Sequence, residues 1–457
     1  MTHTISKFTS AITLMLVLSV FLFSLPQIGV VEAESKTIVV PDDYPTIQEA
    51  IDIADEGDTI CVKSGTYYNQ TLIINKSLSL IGEDSQTTIL KGLGVASSVD
   101  NVVWNNIKTN YTLLGTETSL LNFMGPTTIT SVVELSANDI KISGFTIEHY
   151  ELGIYGSGNR TQIVNNILTA NWDHASISMD GSYIEITNNS VYGGRSNTGI
   201  LVGGSYNTIT DNKIVGASIG IHMWGNFSII SGNNIIDSDS SGIYASGNLL
   251  TITKNNIMNG DMGLALTYFS GSIISENNIT KQTARSIWVD NSANNNVIWG
   301  NYIAPNQGYA IYFTVLSGIE GPINNTFHHN TIMSNAHNIQ FTGYNKWNFW
   351  DNGKEGNYWS DYNGTDTDGD GIGDTPYIIN EDNQDNCPLM EPTVIPEFPS
   401  WASLMIMLVV VLVVVVIYRR VLSKPNEGRM DRCRSGSGAC RNLSNCILQK
   451  TRSGEHQ

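Results

Sequence analysis

Asn212-Lys-Ile-Val-Gly-Ala-Ser-Ile-Gly-Ile-His-Met-Trp-Gly-Asn-Phe-Ser-Ile-Ile-Ser-Gly-Asn233 is one unit of a pattern that runs from Ser143 to Ile332. Each unit closes on Asn, any residue, then Ile or Val. The asparagines are Asn165, Asn189, Asn212, Asn233, Asn255, Asn277, Asn301 and Asn330, about 22 residues apart with one longer step of 29. A second marker keeps the same phase: Gly153-Ile154, Gly199-Ile200, Gly220-Ile221, Gly242-Ile243 and Gly263-Leu264, with Ile177, Ile287, Ile311 and Ile339 as weaker copies. A fixed period of this size means a solenoid, in which each unit buries its apolar face only against its neighbours.

The content of a unit selects the kind of solenoid. Its apolar residues fall in short alternating runs of Ile and Val bounded by Gly, Asn, Ser and Asp, the pattern of strands and turns. Runs at helical period and fixed leucine positions are both missing. Three short strands per unit give an all-β fold, a parallel β-helix, and the handedness of parallel crossovers makes it right-handed. Asparagines stacked in one turn hydrogen-bond from coil to coil through their side-chain amides, and Asn tolerates left-handed turns. The asparagines are therefore expected to hold the scaffold rather than to act on a ligand.

The two ends of the chain carry location signals. Residues 1–33 read as a secretory signal, with Lys7, an apolar core from Ala11 to Leu25 and a small-residue site at Val31-Glu32-Ala33. Trp401 to Tyr418 is long and apolar enough to span a bilayer. Arg419, Arg420 and Lys424 follow it, which places residues 419–457 in the cytoplasm. That tail holds nine Lys/Arg against three Asp/Glu. The segment outside has 14 basic and 38 acidic residues, a net of −24 within a chain of −18. An exterior this acidic excludes nucleic acid as a partner and favours cations. Cys61 and Cys387 are the only cysteines outside, which excludes a disulfide framework. Nine Asn-x-Ser/Thr sequons, among them Asn69, Asn110, Asn226 and Asn363, are acceptors for glycosylation.

Residues 34–92 are expected to cap the solenoid and begin its coils. Thr46 is placed as N-cap of a short helix with Glu49 three residues on, and Ile47, Ala50, Ile51 and Ala54 make its apolar face. Residues 93–346 hold the coils, with an irregular stretch at 93–125. Residues 347–392 form an aromatic and acidic module, and 393–400 a stalk before the membrane.

Three stretches carry a family resemblance: Val39-Pro-Asp-Asp-Tyr-Pro-Thr-Ile-Gln-Glu-Ala-Ile51, the Gly-Ile and Asn-x-Ile coils, and Gly356-Asn-Tyr-Trp-Ser-Asp-Tyr-Asn-Gly364 with Asp366-Thr-Asp-Gly-Asp-Gly-Ile-Gly-Asp-Thr-Pro-Tyr377. Together, over residues 37–392, they resemble NosD-type right-handed β-helix proteins, in particular archaeal surface proteins of that group. The resemblance implies carbohydrate binding or cleavage at an extracellular surface; the founding type of the group assists copper-site maturation of nitrous oxide reductase. Ile395-Pro-Glu-Phe-Pro-Ser-Trp401 is similar to archaeal C-terminal sorting signals, although this chain runs on well past the basic cluster where such signals stop.

Several groups carry candidate chemistry. Asp366, Asp368, Asp370 and Asp374 stand at positions 1, 3, 5 and 9 of a calcium loop, with Gly371 at 6 and the Ile372 carbonyl at 7. Position 12 is Tyr377, so Glu381, Asp382 or Asp385 is left to supply a further acid. If the Ile column points inward, the next residues point out. They read Tyr155, Ser178, Leu201, His222, Tyr244, Ala265, Trp288, Tyr312 and Gln340. Aromatic rings with polar edges on one long face suit sugar rings, although aromatic residues also favour strands on their own account. Tyr155, His222, Tyr244, Trp288 and Tyr312 are thus the candidate carbohydrate contacts.

A glycosidase or lyase needs acids close together. Asp180 and Asp290 lie five coils apart, roughly 24 Å at the strand spacing, against about 5–10 Å for a glycosidase pair. Asp239 and Asp261, or Glu151 and Asp173 beside His174, lie one coil apart and are the weaker catalytic candidates. For copper, His328 and His329 point to opposite faces if both are in a strand, and Met179, Met223 and Phe341 face the core. The sequence reading is a membrane-anchored surface protein that binds extracellular polysaccharide or envelope components. A polysaccharide lyase or hydrolase and a copper-site maturation factor are the alternatives, and calcium is the one cofactor expected.

Overall fold

A computed structural model describes residues 35–393 except 69–70, 93–130, 149, 151, 170–174, 195–196, 291, 305, 315–321, 334 and 343–346. The signal segment 1–33, the irregular stretch 93–125, nearly all of the stalk, the apolar segment 401–418 and the tail 419–457 lie outside the described residues. Among those residues no helix is long and apolar enough to cross a membrane.

Three parallel sheets of 12, 11 and 12 strands wind into a right-handed solenoid of about 11 turns. One turn runs from a wide-sheet strand, Ala175–Asp180, through Glu185–Thr187 and Ser190–Tyr192 in the two narrow sheets, and reaches Thr198–Gly203 one coil later. Short strands bury their middle residue, so like stacks on like. Ile186, Ile209, Ile230, Ile252 and Ile274 form one internal column, in register through four pairings. Val191, Ile214, Ile235, Ile257 and Ile279 form another. Ile177, Ile200, Ile221, Ile243 and Leu264 line the wide sheet from inside. Each such side chain contributes about 1.5–3 kcal/mol by leaving water, and the repeat multiplies that by the number of coils.

The Gly-Ile marker is explained by space at a corner. A Cβ added to Gly242 would stand 2.3 Å from Ile257 Cγ2, so the facing isoleucine already occupies the room. Ser176 and Ser286 are the side chains found at that corner in other coils, both fully buried.

The asparagine ladder is present, and its first rung needs correction. Asn166, not Asn165, is the buried rung, and Leu168, not Ile167, is the core residue that follows it, in register with Val191. Asn165 is exposed and left-handed (φ 58), as are Asn188, Asp211 and Lys254 one place before later rungs; Glu276, before Asn277, is left-handed and half-buried. The left-handed turn thus belongs to the residue before each rung from Asn166 to Asn330. The ladder runs Asn166, Asn189, Asn212, Asn233, Asn255, Asn277, Asn301, Asn330 and on to Asn357. Each rung donates to the next one's Oδ1 from both its backbone N–H and its amide, as Asn233 does to Asn255 at 3.0 and 2.9 Å. The direction of donation never reverses.

Both ends are closed. At the start, helix α1, Ile47–Ile53, has Thr46 as N-cap, accepting from Glu49 N at 3.2 Å, and buries Ile47, Ala50 and Ile51 in the core. At the far end, Trp350 and Trp359 are buried and join the same core. Trp350 stacks on Phe327 at 4.5 Å and Trp359 on Tyr377 at 4.2 Å. A hairpin of Tyr377–Ile378 and Gln384–Asp385 completes the cap.

That hairpin ends the ladder. Asp385 Oδ2 accepts from Asn357 N at 2.7 Å and from Trp359 Nε1 at 2.9 Å, and Oδ1 accepts from Cys387 N at 3.1 Å. Burial pushes this carboxyl up to about 6 against the pull of those donors. Asp385 is therefore fully committed inside the cap and is no spare ligand for the acidic loop. A second ladder, of Asn296, Asn325 and Asn348, ends two residues away on Asn383.

Candidate functional site

The wide sheet presents the outward column that its alternation implies. Tyr155, Ser178, Leu201, His222, Tyr244, Ala265, Trp288, Tyr312 and Gln340 are partners in register from coil to coil. All are half-buried except Ser178 and Ala265, which are buried. Two clusters result, with the flat Ala265 between them.

In the first cluster, the His222 ring meets Trp224 edge-on at 5.3 Å and Tyr244 at 4.8 Å, with interplanar angles of 73° and 67°. Thr267 Oγ1 donates to the Tyr244 hydroxyl at 3.1 Å. Burial draws His222 down to about 4, so its ring is neutral at pH 7. Trp224 and Asp180 belong to the neighbouring outward column, one coil on either side of Gly203. A Cβ on Gly203 would lie 2.4 Å from Trp224 Nε1 and 2.8 Å from Asp180 Oδ1, so indole and carboxyl both lean over the bare glycine. Burial raises Asp180 above the usual carboxylate range, opposed by the Gly181 N–H.

The second cluster is built on Arg285, Trp288, Tyr309 and Tyr312. The guanidinium lies 4.2 Å from the Tyr312 ring centroid and 5.7 Å from that of Trp288. Trp288 Nε1 donates to Thr314 Oγ1 at 2.7 Å. Tyr309 packs against Tyr312 at 5.3 Å and His337 at 5.0 Å.

A different aromatic stripe escaped the sequence reading. Tyr183, Tyr206 and Phe227 are exposed left-handed turn residues of successive coils. Their rings stack almost parallel, at 5.1 Å and 8° and then 5.0 Å and 6°. Parallel stacking spends the ring faces on one another, whereas His222 on the wide sheet meets Trp224 and Tyr244 edge-on.

Asp239 and Asp261 sit in adjacent coils, as spacing requires, because Asp261 N donates to the Ser238 carbonyl. Asp239 is exposed, and Asp261 Oδ1 accepts from Thr283 Oγ1 at 2.8 Å. Glu151 and Asp173 lie outside the described residues.

Among the acids of the loop, one carboxylate oxygen from each of Asp366, Asp368 and Asp370 lies within 4.8 Å of the others. Asp366 also accepts from the Gly369 and Gly371 N–H groups at 2.7 and 3.0 Å. Asp374 turns away toward Thr365 and Thr367, accepting from both hydroxyls and from Thr367 N. Ile372 bridges to Leu389, while Gly373 N donates to Pro388 O and Met390 N to Gly371 O, which ties the loop to the end of the cap.

His328 and His329 do not point apart. His329 is a left-handed turn residue (φ 54) rather than part of the strand, so its ring swings back and the two Nδ1 atoms meet at 2.7 Å. His329 Nε2 contacts Glu355 at 2.8 Å, and Trp299 stacks on His328. Met179 and Met223 face the core as expected.

The family described as periplasmic copper-binding protein (NosD) matches residues 225–364. Among curated proteins, none matches the chain. Solved structures with the same winding include the Azotobacter vinelandii mannuronan C-5 epimerase AlgE4 A-module, 13% identical over 69% of this chain and 99% of that one, with a TM-score of 0.46. The Dettilon tailspike protein is 14% identical at a TM-score of 0.44, and the alignment covers 62% of either chain. An exopolygalacturonase from Thermotoga maritima is 9% identical over 67% of this chain and 87% of that one, with a TM-score of 0.36. These likenesses are of fold alone.

Copper asks for clustered imidazole, thiolate or thioether donors. Among the described residues the one grouping of three or more metal-capable side chains is the Asp366, Asp368 and Asp370 set, which suits a hard cation. The histidine pair supplies two ring nitrogens that already contact each other. The described residues thus make no copper site.

Proposed function

We propose, for a chain that is a NosD-type parallel β-helix protein, that its wide sheet binds a polysaccharide lying along the solenoid axis. The observation that carries this reading is the register-aligned column of His222, Tyr244, Trp288 and Tyr312, in which the His222 and Tyr244 rings meet edge-on rather than stacked. Strands 4.8 Å apart place such rings at regular steps along a linear polymer. The sequence signals at residues 1–33 and 401–418 support display of this face outside a membrane.

A glycan array probed with the whole chain tests the reading. Tyr244→Ala and Trp288→Ala are each expected to weaken binding by about ten-fold, since an aromatic contact is worth roughly 0.5–1.5 kcal/mol beyond the area it buries. Binding unchanged in both variants, or no glycan bound at all, would remove the wide sheet as the site. The same samples report cleavage: reducing ends released by the parent chain and abolished by Asp180→Asn would replace binding with turnover as the function.

Calcium at the acidic loop belongs to the same reading, as a lock on the cap. Asp366, Asp368, Asp370 and the Ile372 carbonyl would hold it, and hard oxygen donors at alternate positions are the chemistry calcium takes. A ligand that binds only the folded state at a hundred times its Kd adds about 2.7 kcal/mol. Calcium is thus expected to raise the unfolding midpoint of the parent chain and to leave that of Asp366→Ala unchanged. Equal midpoints for the parent chain in calcium and in chelator would dispose of the site.

A further inference from the structure

Among the described residues, the outward columns of the wide sheet carry one cation. Arg285 stands in the column Met262, Arg285, Tyr309, His337, beside the column Ala265, Trp288, Tyr312, Gln340, and no other Lys or Arg occurs in either. Arg285 is half-buried, and among the described residues no carboxylate lies within ion-pair distance of it. Its backbone N–H goes to the Asp261 carbonyl, and Nη1 reaches the Met262 sulfur at 3.5 Å. A guanidinium has five N–H donors in a rigid plane, so that weak contact leaves most of them unspent.

A permanent charge held on a half-buried face of so acidic an exterior has an anionic partner as its natural complement. The guanidinium carbon lies over the Tyr312 ring, 4.2 Å from its centroid, and a guanidinium that stacks on an aromatic face keeps its N–H edge for hydrogen bonds. That edge matches a planar carboxylate through two parallel hydrogen bonds. The rings on either side offer apolar surface of the kind that sugar C–H faces cover. A dense polyphosphate is disfavoured, because a single cation cannot offset its charge against the surrounding acids.

We propose that Arg285, with Trp288, Tyr309 and Tyr312 around it, is a subsite for the carboxylate of a uronic-acid residue, so that the polysaccharide on the wide sheet is an acidic one. This rests on the reading of the wide sheet as the glycan face. A second role for Arg285, plain packing through its cation–π contacts, predicts a different outcome.

Titration calorimetry on the whole chain separates the two. The probes are a hexasaccharide of uronic acids, the same oligomer with its carboxyls reduced to alcohols, and a sulfated neutral hexasaccharide. Hydrogen bonds to charged groups are worth about 1.5–3 kcal/mol, so the uronate oligomer is expected to bind ten- to a hundred-fold more tightly than the reduced one. R285M is expected to erase that preference while changing the affinity for the reduced oligomer by less than about two-fold. R285K, which keeps the charge and loses the fork, is expected to fall between them. Equal losses for both oligomers in R285M would make Arg285 a packing residue and overturn the proposal. So would a parent chain that binds the reduced or the sulfated oligomer as tightly as the uronate. If the parent binds none of the three and the glycan array is also blank, the wide-sheet reading itself falls. Matching thermal midpoints of parent, R285M and R285K show that each variant is folded.

Discussion

Replacing Asp385 by Ala is expected to lower the unfolding free energy by about 3–5 kcal/mol, because it strands several buried donors at once. Asn357 N, Trp359 Nε1 and Cys387 N all end on this one carboxylate. Every rung of the asparagine ladder donates toward the C-terminal end, so the last rung needs an acceptor, and a carboxylate supplies one without adding a buried donor that needs a further partner. Aspartate is that acceptor. Gly356 makes room for it: a Cβ there would fall 1.8 Å from Asp385 Oδ1. The cap also holds Trp350 and Trp359 in the core, so losing its anchor is expected to expose both indoles. Denaturant unfolding followed by tryptophan fluorescence measures the effect, and a midpoint equal to the parent's would show that the ladder needs no terminal acceptor.

The same carboxyl makes a pH prediction. Its folded-state pKa, about 6, lies above the unfolded value of about 4. The folded state therefore holds the proton more tightly, and the stability this supplies is present below pH 4 and lost as pH rises through 6. The size is on the order of 3 kcal/mol. His222, drawn down to about 4, acts in the opposite sense, losing stability as pH falls from about 6.5 toward 4. The quantity to read is therefore the difference between the parent and Asp385→Asn. That difference is expected to favour the parent more at pH 4 than at pH 7, and a difference independent of pH would contradict the assignment.

The scaffold was legible because two periods coincide: alternation by two within a strand and return after about 22 residues between coils. Together they assigned Ile177 to the core, and Tyr244 and Trp288 to the outer face, before any coordinates. What they could not do was choose between adjacent asparagines. Asn165 and Asn166 both precede an isoleucine or leucine at a plausible step, and only burial shows that Asn166 is the rung. Turn residues were misread for a related reason. A left-handed residue reverses the direction its side chain takes, so His329 meets His328 instead of opposing it, and Tyr183, Tyr206 and Phe227 stack outside the strands. The second ladder is hidden because its earlier positions, Ile184, Asn207, Ser228, Leu250 and Ser272, mix Asn and Ser with apolar residues instead of repeating one type. Asp180 is too far from Asp290 to pair with it, and spacing alone does not show that it shares Gly203 with the indole of Trp224.

Aspartate should be as damaging within the ladder as it is necessary at its end. Asn255 Oδ1 accepts from Asn233 N and Nδ2, while its own amide lies 2.9 Å from Ile230 O, 3.1 Å from Thr253 O and 3.0 Å from Asn277 Oδ1. Asn255→Asp keeps the two accepted bonds and turns the donor into an oxygen that faces three others in a buried site. The neighbouring Lys254 is exposed and lies 3.7 Å from Glu276, so a charge buried at this rung either takes up a proton or separates the site. The expected cost at pH 8 is about 3–5 kcal/mol, larger than the roughly 2–3 kcal/mol of Asn255→Ala, which leaves partners unpaired but adds no charge. Protonation converts the new carboxyl back into a donor. Lowering the pH from 8 to 5 is therefore expected to return part of the stability of Asn255→Asp and none of the loss in Asn255→Ala. Denaturant midpoints of the two variants at both pH values test this, and an aspartate variant no worse than alanine at pH 8 would mean that the direction of donation along the ladder does not matter to the fold.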